Sequence, residues 1–183
     1  ALDEKAQMRK AAFVRRKAAH ARDMGNAAAV LSSFLAGYHG VDWAGYMPIR
    51  TEINPLPAME EAAAHGRVGV PVILGEGQPL QFSEWSPEGE MKDGPFGAKI
   101  PFEDRFFVPE IVIVPLVAYD ANGGRLGYGG GFYDRTLELL RSRRPTLAVG
   151  FAYADQFAER LPLQQTDQPL DLLITENEVL TFK

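Results

Sequence analysis

The chain contains no cysteine. That removes disulfides, thiolate nucleophiles and cysteine-bound zinc together, so both stability and any chemistry must come from other groups. Long apolar runs are missing as well. None approaches the ~20 residues of a membrane-spanning helix, and the first residues are charged and alternating where a secretion signal needs an unbroken apolar stretch. We therefore expect a soluble, cytoplasmic protein with no membrane partner. Histidine is scarce: His20, His39 and His65 stand apart, without metal-ligand spacing or a nearby second ligand, and are expected to pack or to lie on the surface. A basic excess is also absent. The formal charge of −5 argues against a face that coats phosphate backbones, hence against nucleic acid, and favours small-molecule substrates.

What is present is an ordinary globular mixture. With 183 residues, 46% apolar and 23% charged, the chain can bury a substantial core, and we expect one domain over residues 1–183, acting as a monomer. Asp3 is placed to cap a first helix over residues 4–20, with Met8 and Ala12 on its apolar side and Lys5, Arg9 and Arg16 on the other. In a second, over residues 23–38, Ala27, Val30, Leu31, Phe34 and Leu35 make one stripe, ended by Gly37 and Gly40. A strand over 41–47, a short helix over 57–65 and a buried strand over 68–74 follow. Further strands over 111–117, 146–151 and 171–174 surround a helix over 132–143. This alternation predicts a mostly parallel sheet with helices on both faces. Residues 75–109 break it, being rich in proline and glycine apart from the apolar stretch from Leu80 to Trp85. They read as a hairpin and long loops forming a wall or lid over a ligand.

The most informative segment is Gly123-Gly124-Arg125-Leu126-Gly127-Tyr128-Gly129-Gly130-Gly131, which holds six glycines in nine positions and runs into Phe132-Tyr133-Asp134-Arg135. Glycines between a buried strand and a helix allow left-handed backbone and close approach of a ligand, while the N–H groups at the helix start favour anions such as phosphate. Arg125 and Arg135 add positive charge, and Asp134 is a carboxylate able to hold a metal ion against phosphates. The run is not a Walker loop, which needs Gly-Lys-Ser/Thr, nor a dinucleotide fingerprint, which needs glycine where Phe132 stands. On the residues alone, a phosphate cradle and a flexible turn with surface arginines both stay open.

Beyond the glycines, residues 125–135 closely resemble the Arg-Leu-Gly-x-Gly-x-Gly-Tyr-Tyr-Asp signature of the 5-formyltetrahydrofolate cyclo-ligases, with Phe132 for the commoner tyrosine. Val114-Pro115-Leu116-Val117-Ala118-Tyr119-Asp120 is similar to the strand that precedes that signature. Lys5 and Arg9 resemble the family's N-terminal Lys-x-x-x-Arg, and Tyr46-Met47-Pro48-Ile49-Arg50-Thr51-Glu52-Ile53 its substrate-side stretch. Residues 150–156, with Leu161-Pro162 through Thr175-Glu176, resemble its C-terminal block, in which Asp171 stands at a metal position. The family commonly has His-Asp where this chain has Thr166-Asp167, and glutamate where it has Ile100 after Phe96-Gly97-Ala98-Lys99. Asp167 is accordingly read as support, and any role for position 100 is in doubt.

The resemblance implies a three-layer α/β/α sandwich with a mostly parallel, mixed sheet, like the NagB/RpiA/CoA transferase-like fold. It implies ATP-dependent cyclisation of 5-formyltetrahydrofolate, with or without a polyglutamate tail, and Mg2+ as cofactor. Lys5, Arg9, Arg125, Leu126, Gly127, Tyr128, Gly129, Gly130, Gly131, Phe132 and Tyr133 would then bind ATP. Met47, Glu52 and Tyr133 would bind folate, Asp134 and Asp171 would hold the metal, and Arg125, Tyr133 and Asp134 would form the catalytic set. Trp85 and Phe96 are weaker candidates for a folate wall. Two other classes remain: a sugar-phosphate isomerase or acyl-transfer enzyme on a similar scaffold, with Asp134 or Glu52 as base or nucleophile and no need of ATP, and a regulator that binds without turnover.

Overall fold

A computed structural model describes residues 4–182, so a cap at Asp3 lies outside the described residues. The chain opens with helix α1 (Glu4–Arg22) and helix α2 (Ala29–Leu35), then enters the sheet as β1 (Trp43–Ala44). Helix α3 (Leu56–Ala63) leads to β2 (Val68–Val72) and β3 (Gln81–Trp85). The short strands β4 (Met91–Asp93), β5 (Lys99–Pro101) and β6 (Phe106–Phe107) follow, then β7 (Ile111–Pro115). A small hairpin, β8 (Ala118–Tyr119) with β9 (Arg125–Leu126), precedes helix α4 (Phe132–Arg143). Strands β10 (Leu147–Phe151), β11 (Leu172–Ile174) and β12 (Val179–Thr181) complete the chain.

Among the described residues these form an eight-stranded sheet in the order β12-β11-β10-β7-β1-β2-β3-β6. The five strands from β11 to β2 run parallel, and the flanking β12, β3 and β6 are antiparallel. Strand β7 shows how the layers arise. Its continuous apolar run sends Ile111 and Ile113 into the core under Leu31 and Leu35 of α2 and Met59 of α3. Val112 and Val114 point the other way, to Leu137 and Leu140 of α4. A strand buried on both faces needs such a run, because its side chains alternate. The expected three-layer arrangement is the one found. No helix among the described residues is long and apolar enough to cross a membrane.

Several local expectations change. The strand over 41–47 shrinks to two residues, since Gly45 makes one further sheet bond, to the Gly69 carbonyl, and Pro48 soon afterwards has no N–H for a ladder. Residues 23–28 are not helical: Gly25 takes a left-handed φ of 92° and its N–H is held by the Asp23 carboxylate at 2.9 Å. In α1 the division of faces was misplaced, because Arg16 is buried together with Ala12 and Ala19. Residues 9, 12, 16 and 19 share a helical face, so one stripe carries both cations and the packing alanines. The 75–109 segment holds more strand than a hairpin and loops, with β3 paired to β2 over all five of its residues. His39 and His65 are not isolated: the turns after α2 and α3 meet, and their rings stack at 4.0 Å.

The start of α4 is pinned from outside the helix. Thr136 donates its hydroxyl to the Phe132 carbonyl at 2.6 Å and accepts the N–H of Leu80 at 2.8 Å, joining α4 to the chain entering β3. Replacing Thr136 with Val leaves the buried Leu80 N–H without a partner. We predict a loss of about 1–3 kcal/mol in denaturant unfolding, with Thr136→Ser keeping most of the stability.

Candidate active site

The strand order reverses at β1. From there the chain moves outward to β2, then returns to β7 on the other side and continues outward to β10 and β11. In such sheets the strand ends on either side of the reversal diverge, leaving a crevice at their carboxyl ends. A cleft of about 800 Å3 lies there, lined by Tyr46 and Met47 beyond β1, Pro71 and Ile73 at the end of β2, and Pro115 at the end of β7. Its lining carries the cations Lys5, Arg9, Arg50, Arg125 and Arg135 against the acids Glu52, Asp134, Glu138 and Asp167. A protein of net charge −5 thus places a cationic excess in this cleft.

The glycine-rich run divides into two parts. Gly123 and Gly124 belong to the turn between β8 and β9, where the Asp120 carboxylate accepts the N–H groups of Asn122 at 2.9 Å and Gly124 at 2.8 Å. They shape a hairpin and do not line the cleft. Gly127 to Gly131 do line it, and they lead into α4 through Gly131, which caps the helix at φ 70°. No side chain caps α4, so the N–H groups of its first turn are free to meet an anion. Gly129, at φ 106°, needs the same freedom from a Cβ.

Cations surround this loop. Arg9 donates through Nε to the Gly127 carbonyl at 2.7 Å, and Lys5 lies 3.8 Å from the Asp167 carboxylate. Arg125 is 8% exposed and pairs through Nη2 with Asp134 Oδ1 at 2.8 Å, while its Nε is buried without a partner. Burial pulls its guanidinium below the usual range, opposed by the charges of Asp134 and Asp167. Asp134 Oδ1 also accepts the N–H of Gln168 at 2.8 Å, which sets Asp167 beside it on the wall. Arg135 donates to the Gly130 carbonyl at 2.8 Å and lies over the Phe132 ring. Leu126 lines the cleft, yet its side chain packs with Ala12 and Val117, leaving only its backbone to offer.

The opposite wall is a buried carboxylate among phenols. Glu52 is 5% exposed; Oε1 accepts the N–H of Ile49 at 2.9 Å and Oε2 accepts the hydroxyl of Tyr128 at 2.7 Å. Burial raises its carboxyl above the usual range, and those two donors, Arg16 and Arg50 oppose the rise. Tyr133 projects a buried hydroxyl with no partner from the first turn of α4. Its phenol and that of Tyr128 are both pushed up, mainly by burial. Met47 completes this side.

Every residue expected to bind ATP or folate therefore lines one cleft. Asp171 does not. Its Oδ2 is taken by Arg141 Nη2 at 2.9 Å and by the Ala148 N–H at 2.8 Å, which ties it between α4 and β10 outside the lining. The aspartate that lines the cleft with Asp134 is Asp167. Trp85 is a core residue packed beneath α2 and α3, whereas Phe96 reaches the cleft and meets Phe132 at 6.4 Å between ring centroids. Tyr46, Arg50 and Arg16 were overlooked. The spacing of Arg16 from Arg9, two helical turns along α1, was the one available signal. Tyr46 and Arg50 stood in the stretch that resembled the substrate side without being singled out, and the fold places both in the cleft lining.

Comparison with known proteins places the chain in a family. The 5-formyltetrahydrofolate cyclo-ligase of Escherichia coli (strain K12) is 36% identical over 136 residues, covering 70% of this chain and 74% of its own. The enzyme of that name from Mycolicibacterium smegmatis (strain ATCC 700084 / mc(2)155) is 26% identical over 93% of both chains. The solved structure of Aquifex aeolicus 5,10-methenyltetrahydrofolate synthetase superposes with a TM-score of 0.76 at 29% identity, covering 98% of this chain and 93% of that one. Residues 2–176, which include the glycine loop, Lys5 and Arg9 of α1 and Glu52, match the family as a whole, and the chain belongs to the 5-formyltetrahydrofolate cyclo-ligase family.

Proposed function

We propose that the cleft binds ATP on the α4 side and 5-formyltetrahydrofolate on the Glu52 side, and closes the formyl group onto the second folate nitrogen. The single observation that carries the reading is the meeting of an uncapped, glycine-lined helix start with a buried carboxylate across one crevice. The formyl oxygen attacks the γ-phosphorus and ADP leaves. The folate's second nitrogen then adds to the activated carbon, and loss of phosphate gives the methenyl product. An amide-like oxygen is a weak nucleophile, so the protein's contribution is alignment and charge neutralisation rather than a dedicated base. The backbone N–H groups of residues 127–131, with Lys5, Arg9 and Arg125, hold the triphosphate. Glu52 accepts adjacent ring N–H donors of the pteridine, as carboxylates do in paired contacts, and Met47 and Tyr133 pack beside it. The acting unit on this reading is a monomer, and ATP as co-substrate fits a cytoplasmic location.

Among the described residues no cluster of three or more histidine, aspartate or glutamate side chains is able to hold a metal ion. Mg2+ does not require one, since it usually takes one or two carboxylates and completes its shell with substrate phosphate and water. Asp134, with Oδ2 uncommitted, and Asp167, which lines the same cleft, fit that role; Asp171, outside the lining, does not. A magnesium ion there would neutralise phosphate charge.

Purified protein mixed with 5-formyltetrahydrofolate, Mg2+ and ATP should develop the methenyl chromophore, and omission of ATP should prevent it. Absence of the chromophore with folded protein overturns the reading, while ATP-independent turnover would favour another chemistry. In titrations, Arg125→Ala should weaken ATP binding by about 10–100-fold, the scale of a charged hydrogen bond, and folate binding far less. Asp167→Asn should raise the Mg2+ concentration needed for half-maximal rate. Asp171→Asn should instead lower the thermal midpoint with little change in Mg2+ dependence, and the reverse pattern would return the metal role to Asp171.

A further inference from the structure

Arg16 is 1% exposed, the most deeply buried charged side chain among the described residues, and it forms no ion pair. Nε donates to the Thr51 hydroxyl at 3.0 Å. Nη1 donates to the Tyr128 hydroxyl at 2.6 Å and, at 3.5 Å, to the Leu116 carbonyl; Nη2 has no partner. The rings of Phe13 and Tyr128 flank the guanidinium at 5.0 and 5.6 Å. A cation taken from water without a direct counter-charge is expensive. The counter-charge Arg16 does have is reached through Tyr128, whose hydroxyl donates onward to Glu52 at 2.7 Å.

The order of these three groups has a direction. A guanidinium can only donate, and a phenol has a single proton. The Tyr128 oxygen, occupied by the Arg16 N–H, must therefore send its own proton to Glu52. Ile49 donates its N–H to the other carboxylate oxygen. Both oxygens of Glu52 thus receive protons from the protein, an arrangement that favours carboxylate over acid and leaves its remaining lone pairs for donors in the cleft. Arg16 from α1 and Arg50 from the same loop are the cations that act on Glu52. The phenols of Tyr46, Tyr128 and Tyr133 surround it from β1's exit, the glycine loop and α4.

We propose that Arg16, which does not line the cleft, is a positioning residue for Glu52 that acts through Tyr128: it fixes the direction of the phenol's proton, and that proton keeps the carboxylate ionised and turned toward the pteridine's N–H donors. The proposal rests on the folate-side reading of Glu52. It also distinguishes Arg16 from a brace that merely joins α1 to the loops around Thr51 and Leu116, because a brace acts on stability and not on the protonation of Glu52.

The test compares wild type, Arg16→Lys, Arg16→Met, Tyr128→Phe and the Arg16→Met/Tyr128→Phe double variant, measuring kcat and KM for 5-formyltetrahydrofolate at saturating ATP from acid to weakly alkaline pH. Removal of the phenol hydroxyl takes a donor from Glu52 and raises its carboxyl further. Protonation then sets in at higher pH, so the acid limb of kcat/KM moves upward. Tyr128→Phe should show that shift with a loss of about tenfold in kcat/KM for the folate and a much smaller change in KM for ATP. Arg16→Lys, which keeps a donor for the phenol, should recover most of the activity lost in Arg16→Met. The double variant should cost little more than Tyr128→Phe alone, since both changes break one chain. An acid limb unmoved in Tyr128→Phe, or losses that simply add, would overturn the proposal. Should Arg16→Met fail to fold, Tyr128→Phe, which keeps the ring and removes only the hydroxyl, decides by its limb alone. Wild-type turnover in the same assay separates the two readings: none sinks the function, whereas turnover with an unshifted limb sinks only the role of Arg16.

Discussion

Arg125 and Asp134 stand nine residues apart at the two ends of the glycine loop, and their ion pair at 2.8 Å closes that loop into a ring. Arg125 is nearly out of water, so its charge is tolerable only with a partner in place. The partner is fixed in turn, because the same Asp134 oxygen holds the Gln168 N–H. One carboxylate thus joins β9, the start of α4 and the segment that carries Asp167. Five residues from 127 to 131, four of them glycine, would otherwise be free to wander. The clasp holds their ends so that their N–H groups can face a ligand without ordering on binding. Its cost is that Asp134 has one oxygen left to offer, which is why a metal site here must borrow ligands from the substrate.

The sheet determines what the clasp faces. Because β1 and β7 are neighbours, run in the same direction and lead the chain to opposite sides, their exits form the two walls of one crevice. The exit of β1 carries Tyr46, Met47 and Glu52, and the exit of β7 leads to the hairpin, the clasp and α4. Helix α1 lies across both. Arg9 reaches the glycine loop and Arg16 reaches Tyr128, so a helix outside the sheet contacts both sides.

Much of this was legible in the residues. The bounds of α4 at 132 and 143 are those its apolar spacing predicted, and the runs of β2, β7 and β10 declared themselves because strands buried on both faces cannot hide polar positions. Legibility failed where long-range contacts decide. Two residues of β1 survive from an expected seven-residue strand because only Trp43 and Ala44 pair with neighbours on both sides. Nothing in local sequence shows that Asp171 Oδ2 is tied to Arg141, thirty residues earlier, or that Asp167 rather than Asp171 lines the cleft. Arg16 was misread because arginine on an amphipathic helix is ordinarily a solvated residue, and only the fold shows it enclosed. The stacking of His39 on His65 depends likewise on two turns that meet only in three dimensions.

The two walls solve opposite electrostatic problems, and their separation explains how a chain without cysteine can support this chemistry. The α4 side offers cations and a helix N-terminus, groups suited to anionic phosphate that hold charge without transferring protons. On the other side a single buried carboxylate must remain an acceptor although burial works against its charge. Neutral phenols make that possible. Burial raises both Tyr128 and Tyr133, so they stay protonated and act as uncharged donors or packing surfaces between two anionic regions. A lysine in place of either would draw phosphate toward Glu52, and a carboxylate would repel both. On the proposed reading, the aromatic partition keeps the folate end and the phosphate end distinct until they meet at the formyl group, whose oxygen takes the phosphoryl group and whose carbon takes the second nitrogen.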